Sequence, residues 1–306
     1  MATIWRINIK TAAIQGIDPR KFCIDRNIVG IGWGVDSKFA NFKGYYNLAE
    51  KKYYKTGDRG WWPAINALLN RMENNDLCWT RDINGIYYIG RIIGDWEPRN
   101  TREFVDADVR NIRPCIWCKV GEPDKVPGKV LNSFRPARVL QKVNGDTVRT
   151  CSMYWYNKLN NDFEYRIDDS PLDIFSLISP EDCEDLVGLY LQEKGYRLFA
   201  SSNKRDTMGI EFVLRHSKTG KKAVVQVKQG KSPILNIKNY MNRADEVFLF
   251  STSGNYSGQL NDNVHCIEPE EIRQFVKEKE HILPDRVKIW IELSEQINSD
   301  RNGKLN

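Results

Sequence analysis

The sequence has 306 residues, of which 46 are Lys or Arg and 40 are Asp or Glu, so its formal net charge is +6. Because domains usually contain about 100–200 residues, this length predicts two domains. Hydrophobic residues make up 41% of the chain, which is enough for packed cores and excludes a disordered protein. No stretch approaches the roughly 18 consecutive apolar residues of a membrane-spanning helix, so no membrane partner is expected.

The numbers of cysteines and histidines disfavour several classes of protein. The seven cysteines are an odd number and are scattered, which predicts no disulfide framework and fits a reducing, cytoplasmic environment. The first residues lack a charged head followed by an apolar run, so no secretory signal is expected. Three histidines are few for a zinc enzyme or a His-based triad, and both classes are therefore disfavoured.

Charge and aromatic residues are unevenly distributed along the chain. Residues 1–160 contain 26 basic and 16 acidic side chains, whereas residues 161–306 contain 20 and 24. Eight of the nine tryptophans also lie before residue 160. A basic, aromatic first half indicates a polyanionic partner for that half.

Sequence patterns in the first half predict short strands and few helices. The spacing of apolar residues predicts a helix over 61–72, and Asn84-Gly85 predicts a hairpin turn between two of the strands. We place the strands at 4–9, 28–34, 76–80, 86–94, near 105–113, at 138–143 and at 164–167. Such a pattern is typical of a small curled sheet or barrel.

The second half begins with a clear helix start. Ser179 is a typical N-cap, and Pro180 follows it at the first helical position, ahead of two acidic residues. The remaining patterns predict strands at 196–200, 209–215, 222–229, 246–251 and 264–267, with helices around 237–243 and at 270–278. We therefore expect a mixed sheet flanked by helices, and an α+β protein with domains of residues 1–168 and 169–306.

Polar residues within the second half suggest a metal-dependent site. Gln226 and Lys228 occupy one predicted strand and point to the same face, and Glu211 lies on the preceding strand of the hairpin. Lysine is rarely buried without a partner. Oxygens of Glu211 and Gln226 are suited to bind Mg²⁺, Lys228 to orient or deprotonate the attacking water, and Glu184 to add a carboxylate. The alternative is an ordinary ion pair between Glu211 and Lys228.

This pattern resembles the PD-(D/E)xK nuclease superfamily, specifically its Mrr-type restriction endonucleases. The resemblance covers residues 179–276 and implies that Glu211, Gln226, Lys228 and Glu184 are catalytic, with Mg²⁺ or Mn²⁺ bound by Glu211 and Gln226. It also implies a restriction-endonuclease-like fold, DNA as the substrate and a homodimer. Glu211 stands where that family usually has Asp, and Asp206 is an alternative ligand.

The first half resembles PUA/EVE-like domains, which are small barrels that hold a modified or flipped base in an aromatic pocket. The stretches that match include Gly32-Trp33, residues 76–79 and residues 87–92. The resemblance implies a base-recognition domain, and the predicted base-binding residues are Trp33, Trp79 and Tyr87. Arg135 and Arg138 are predicted phosphate contacts. The alternative is that most of these aromatic residues are core.

These features predict a Mg²⁺-dependent endonuclease that cleaves foreign or modified DNA, such as that of phages, in restriction and antiphage defence. The first domain would select the DNA and the second would cut it. Two alternatives stay open. The protein could be a catalytically inactive nucleic-acid-binding protein, since Glu211 stands where the family usually has Asp, or it could be a nuclease that acts on RNA. The sequence contains no GxxxxGK[ST] motif, so we expect no translocase activity within this chain.

Overall fold

The structure is a computed structural model that describes residues 2–9, 11–36, 42–54, 57–58, 60–136, 138–161, 164–167, 173–199, 209–230 and 234–303. The chain divides into two compact units, Met1–Pro171 and Leu172–Asn306. The predicted domain boundary at Asp169 lies outside the described residues. Within the described ranges, no helix is both long and apolar enough to cross a membrane.

The first unit is built on one seven-stranded sheet. Its strands are β1 (Ile4–Ile7), β2 (Ile28–Ile31), β3 (Leu77–Arg81), β4 (Tyr87–Ile92), β5 (Glu97–Pro98), β6 (Asn111–Gly121) and β7 (Leu140–Lys142). The strand order is β2-β6-β4-β3-β1-β7, with β5 paired to β6. All pairs are antiparallel except β1 with β3. The predicted hairpin across Asn84-Gly85 is confirmed, because β3 and β4 pair on either side of it.

The long strand β6 joins two parts of this sheet. Its first residues pair with β2 and β5, and the residues from Cys115 onward pair with β4. Among the described residues, no ladder connects the edge strands β2 and β7, so the sheet is open. The structure therefore confirms a strand-rich first unit but not a closed barrel.

In the described residues of the first unit, six α-helices accompany this sheet: α1 (Pro19–Asp25), α2 (Phe42–Tyr53), α3 (Trp61–Asn66), α4 (Arg102–Asp106), α5 (Gly128–Ser133) and α6 (Asp146–Asn160). The predicted helix at 61–72 is confirmed as α3 and a following π-helical turn, Ala67–Arg71. The strand predicted near 105–113 was partly wrong, because α4 occupies its first residues. Residues 164–167 contain no strand, and the sequence patterns missed α6.

The second unit contains a five-stranded mixed sheet with strand order β14-β12-β10-β9-β8. These strands are β8 (Tyr196–Leu198), β9 (Phe212–His216), β10 (Lys222–Lys228), β12 (Glu246–Ser251) and β14 (Val264–Ile267). The β10–β12 and β12–β14 pairs are parallel, and the β8–β9 and β9–β10 pairs are antiparallel. Two short strands, β11 (Leu235–Asn236) and β13 (Tyr256–Ser257), pair with each other. The expected mixed sheet is thus confirmed.

The part of the second unit that the structure describes contains four α-helices: α7 (Ile174–Leu177), α8 (Pro180–Glu193), α9 (Pro269–Glu278) and α10 (Asp285–Gly303). Helix α8 begins as predicted, with Ser179 and Asp182 forming a reciprocal capping box. The helix predicted around 237–243 was wrong in extent, because only a 3₁₀ turn, Ile237–Asn239, is present. The sequence patterns did not indicate α10.

The two faces of the second sheet have different neighbours. On one face, Phe212 contacts α8: a Cβ atom on Gly188 would lie 3.7 Å from the Phe212 ring. On the other face, Val224 and Leu249 pack in one cluster with Tyr240. Because side chains alternate along a strand, Gln226 lies on this second face. The candidate site is therefore on the side of the sheet that α8 does not cover.

Candidate active site

Glu211 and Gln226 lie directly opposite each other at one end of the β9–β10 hairpin. Phe212 pairs with Val225, and the Glu211 backbone N–H donates to the Val225 carbonyl at 2.8 Å, which extends the ladder by one residue. The Gln226 side-chain Nε2 donates to Glu211 Oε1 at 2.5 Å and to the Val227 carbonyl at 3.0 Å. The hairpin register, set by the turn at Thr219-Gly220, thus brings the two predicted ligands together.

The other polar atom of the Gln226 amide is not satisfied. Gln226 is only 1% exposed, and its Oε1 atom has no hydrogen-bond partner among the residues that the structure describes. A buried amide oxygen without a partner costs free energy of about 1–3 kcal/mol. Such an atom indicates a site that a bound group completes.

Gly209 adjoins the Gln226 amide oxygen. This glycine has a φ of +69°, and a Cβ atom on it would lie 3.6 Å from Gln226 Oε1 and 3.7 Å from the hydroxyl of Tyr240. Burial raises the pKa of Tyr240, with a smaller contribution in the same direction from the Glu211 carboxylate and an opposing one from Arg243. Tyr240 is therefore a neighbour of the site that the sequence did not identify, because it follows a turn 14 residues after Gln226.

Lys228 differs from the prediction in its exposure. The sequence predicted a buried ammonium, but Lys228 is exposed because it is the last residue of β10, while residues 223–227 are buried. Within the part of the chain that the structure describes, Lys228 forms no ion pair with Glu211. The alternative of an ordinary Glu211–Lys228 ion pair is thus not supported. Lys228 and Gln226 share one face of the strand, as predicted.

The backbone around Lys228 is held by neighbouring side chains. Gln229 Nε2 donates to the carbonyls of Phe175 and Ile178, at 2.6 and 3.0 Å. On the adjacent strand, the Thr252 backbone N–H donates to the Lys228 carbonyl at 3.0 Å. These bonds fix the strand end from two sides, so the Lys228 stem starts from a rigid position while its ammonium group remains accessible.

Glu184 is not placed beside the other predicted site residues. It lies on α8 and lines a cavity of about 260 Å³ together with Asp185, Phe212 and Leu283. This cavity is on the face of the sheet that α8 covers, opposite Gln226. The role of Glu184 stays a prediction, and Asp206 lies outside the described residues.

The donor set fits a divalent cation in part. A hard cation such as Mg²⁺ prefers carboxylate and amide oxygens, and Glu211 and Gln226 supply one of each. The unpartnered Oε1 atom of Gln226 is a ligand atom that such a cation would use. Within the described ranges, no group of three or more His, Cys, Asp or Glu side chains is placed to hold a metal ion. The remaining ligands would be water and substrate oxygens, which is usual for Mg²⁺.

Two of the three predicted base-binding residues are core residues. Trp79 is 0% exposed, and its indole Nε1 donates to Ser152 Oγ at 3.0 Å. Tyr87 is 3% exposed and packs edge-on against Phe134, with 5.5 Å between ring centroids. Neither ring has a face that a base can reach. Their assignment to a base pocket was wrong, because the sheet needs large side chains in its core.

Trp33, the third predicted base-binding residue, is only partly buried. Its φ is +58°, which is unusual for a bulky residue. Its indole Nε1 donates to Asp58 Oδ2 at 2.7 Å, and its carbonyl accepts a bond of 2.7 Å from the Tyr45 hydroxyl. Backbone strain of this kind persists where the surrounding structure enforces it and is concentrated at functional sites.

The predicted phosphate contacts, Arg135 and Arg138, are both exposed. They lie between α5 and β7, on the basic first unit. The structure adds Arg6 and Arg81 to their surroundings, and neither was singled out in the sequence. Both lie in strands whose pattern indicates ordinary sheet residues, so no local signal identified them.

Comparison with known proteins gives two family matches and one weak structural match. Residues 5–133 match a domain of unknown function, DUF8426, and residues 175–253 match the restriction endonuclease family Mrr_cat. No curated protein matches the chain. A solved structure of the DNA modification-dependent restriction endonuclease AspBHI shares 10% identity, with 89% of this chain and 81% of that chain covered and a TM-score of 0.23.

The second family match covers all four residues predicted for the nuclease site. It confirms the Mrr-type resemblance of the second half and supports a restriction-type nuclease with DNA as its substrate. The match of the first half is to a domain without a known function, so the PUA/EVE-like identity is not confirmed.

Proposed function

We propose that this chain is a divalent-metal-dependent endonuclease, in which the second unit cleaves DNA and the first selects it. The observation that carries the proposal is the opposed pair Glu211 and Gln226, with Lys228 on the same strand face, inside the segment that matches restriction endonucleases. A buried amide oxygen without a partner beside a carboxylate has no purpose in a purely structural hairpin. It is what a cation-binding pair requires.

Each of the three side chains has a distinct role in this proposal. Glu211 and Gln226 would hold the cation through oxygen atoms, for which the Gln226 amide turns its Oε1 atom toward Glu211. Lys228 presents an exposed ammonium group that holds a scissile phosphate or an attacking water through charge-assisted hydrogen bonds. When bound, the cation supplies charge stabilisation at the phosphate oxygens. The hydrogen bonds of Gln229 keep Lys228 in position.

The first unit is proposed to recognise DNA by a PUA/EVE-like base-binding mode, with Trp33 as the aromatic contact. Support comes from its partial exposure, its left-handed backbone and the Asp58 carboxylate that fixes its indole ring. The net positive charge of residues 1–160 supports binding to a polyanion. Selection of a modified base would suit restriction of foreign DNA, including phage DNA, by a cytoplasmic enzyme. A homodimer would supply two sites for double-strand cleavage.

The experiment that tests this proposal compares plain DNA, base-modified phage DNA and a matched RNA in cleavage reactions with Mg²⁺, with Mn²⁺ or with EDTA. Glu211→Gln and Trp33→Ala proteins are assayed in parallel. We expect metal-dependent cleavage that Glu211→Gln abolishes and a preference for modified DNA that Trp33→Ala removes. Cleavage that persists in EDTA or in Glu211→Gln would refute the metal site. DNA binding without cleavage under every condition would favour a catalytically inactive binding protein, and cleavage of RNA alone would favour the RNA nuclease.

A further inference from the structure

Arg6 is a fully buried arginine without an acidic partner. It lies in β1, is 0% exposed, and forms no ion pair within the part of the chain that the structure describes. Its guanidinium donates to the Arg138 carbonyl and to Gln141 Oε1, the latter at 2.9 Å. Its Nε atom is buried and has no partner among the described residues. An uncompensated buried charge is costly, and a nearby anion would offset part of that cost.

Two further arginines lie close to Arg6. Its Cζ atom is 5.3 Å from the ring centroid of Phe134, and the Cζ atom of Arg81 is 5.1 Å from the same centroid. The pKa of Arg6 is lowered to about 10, mainly by burial and to a smaller extent by the charges of Arg81 and Arg138, while Cys78 acts in the opposite direction. Two guanidinium groups thus lie against one aromatic ring, and Arg138 is close enough to Arg6 to affect its pKa.

Sheet register explains why these side chains meet. Arg6 pairs with Trp79 of β3 and with Gln141 of β7. Arg81 is two residues beyond Trp79 and therefore lies on the same face of the sheet. Arg138 lies just before β7, so its backbone reaches the Arg6 guanidinium. The cluster is built by strand pairing and not by chance contact of surface loops.

Arg81 and Arg138 have side chains that are available to a ligand. Arg81 is half-buried and Arg138 is exposed. In the described ranges, neither side chain makes a hydrogen bond or an ion pair, and the contact of Arg81 with Phe134 leaves its N–H groups free to donate. A guanidinium supplies paired donors that match the oxygens of a phosphate group.

We propose that Arg6, Arg81 and Arg138 form a binding site for a phosphate group of the DNA backbone. Arg81 and Arg138 contact the phosphate, and the buried charge of Arg6 attracts it without direct contact. This inference rests on the proposed function, because it takes DNA as the ligand. Phosphate contacts fix the position of a protein on the duplex without reading its sequence. The site would therefore hold DNA on the first unit whichever base is recognised.

The test measures binding of a short fluorescein-labelled DNA duplex to the full chain in EDTA, over a series of salt concentrations. Arg81→Gln and Arg138→Gln are compared with the wild type and with Arg102→Gln. Arg102 is an exposed arginine of the same unit that lies in α4 and pairs with Asp106. We expect each cluster variant to weaken binding roughly threefold to tenfold and to reduce the slope of log K against log salt by about one. The Arg102→Gln protein should match the wild type.

A second arm makes the inference independent of DNA cleavage. The thermal midpoint is measured with inorganic phosphate and with chloride at equal ionic strength. We expect phosphate to raise the midpoint of the wild type and of Arg102→Gln, but not of the Arg81→Gln/Arg138→Gln double variant.

If DNA is cleaved but the salt slopes of the Arg81→Gln and Arg138→Gln variants equal that of the wild type, the phosphate site is refuted and the nuclease proposal stands. If DNA is bound but not cleaved, and phosphate stabilises the protein in this pattern, the nuclease proposal fails and the phosphate site stands, whereas a protein that binds no DNA refutes the site. Equal phosphate stabilisation of all variants would refute the site.

Discussion

Gln226 donates its side-chain amide hydrogen to Glu211 across the β9–β10 hairpin at 2.5 Å, while its own carbonyl oxygen stays buried without a partner among the described residues. The amide is therefore half satisfied in the absence of a ligand. Rotation of the amide by half a turn would place two oxygens side by side, which is favourable only with a cation between them. This pair is the structural basis of the proposed metal dependence.

Gly209→Ala would place a methyl group in contact with this pair. A Cβ atom there would lie 3.6 Å from Gln226 Oε1, whereas a Cβ atom on Gly220, which has nearly the same backbone conformation, meets nothing within 4 Å. Both substitutions should lower the free energy of unfolding by roughly 1–2 kcal/mol, because both force a side chain into the left-handed region. Only Gly209→Ala should abolish metal-dependent cleavage. Equal cleavage by the two variants would show that a methyl group beside Gln226 Oε1 does not disturb the site.

Gln226→Glu would place a second carboxyl group opposite Glu211 in a buried position. Repulsion and burial should raise the pKa of the carboxyl pair above the unfolded value of roughly 4, so the folded state binds more protons than the unfolded state. The variant should therefore lose stability, relative to the wild type, as the pH rises above that value. Added Mg²⁺ or Mn²⁺ should restore it by binding the folded state. Thermal midpoints across pH, with and without metal, measure this, and a variant that gains nothing from metal would contradict the assignment.

Trp79→Ala tests the correction that removes this residue from the base pocket. Because Trp79 is fully buried, its loss should lower the free energy of unfolding of the first unit by about 3–5 kcal/mol. Trp62, which is 37% exposed, serves as the control, and Trp62→Ala should cost about 1 kcal/mol or less. Urea denaturation followed by tryptophan fluorescence measures both. A Trp79→Ala protein that is as stable as the wild type but binds DNA less tightly would show that Trp79 is a base-binding residue.

Ser179→Ala tests the capping box that starts α8. Ser179 Oγ accepts the Asp182 backbone N–H at 3.1 Å, and the Asp182 carboxylate accepts the Ser179 backbone N–H at 3.0 Å. Loss of this cap should lower the free energy of unfolding of the second unit by roughly 1 kcal/mol. Thr101 is the N-cap of α4 but its side chain makes no capping bond, so Thr101→Ala should cost less. Equal losses in the two variants would mean that the reciprocal bonds add nothing.

The β9–β10 hairpin could be predicted from the sequence because neighbouring residues specify its strands and its turn. Alternating apolar residues and Thr219-Gly220 define the strands and the turn, and the register follows from them. The opposition of Glu211 and Gln226 was therefore within reach of the sequence. The helix start at Ser179 was predictable for the same reason, since caps are read from adjacent residues.

Features that depend on tertiary packing were not predictable. Trp33 and Trp79 are both tryptophans of predicted strands, and only the complete sheet shows that Trp79 is core while Trp33 stays partly exposed. The exposure of Lys228 depends on where β10 ends, and strand ends are the least certain part of any sequence pattern. Tyr240 and the arginine cluster around Phe134 come together from distant segments, and a single sequence carries no signal for such contacts.

Lys228→Ala offers the most direct measurement of the central claim, with Lys222→Ala as its matched control. Both lysines are exposed, lie at opposite ends of β10 and point to the same face. Neither substitution should change the free energy of unfolding by more than about 0.5 kcal/mol, because both side chains are exposed. We predict that Lys228→Ala abolishes metal-dependent DNA cleavage while leaving DNA binding intact, and that Lys222→Ala cleaves as the wild type does. Undiminished cleavage by Lys228→Ala, or equal loss in both variants, would contradict the account.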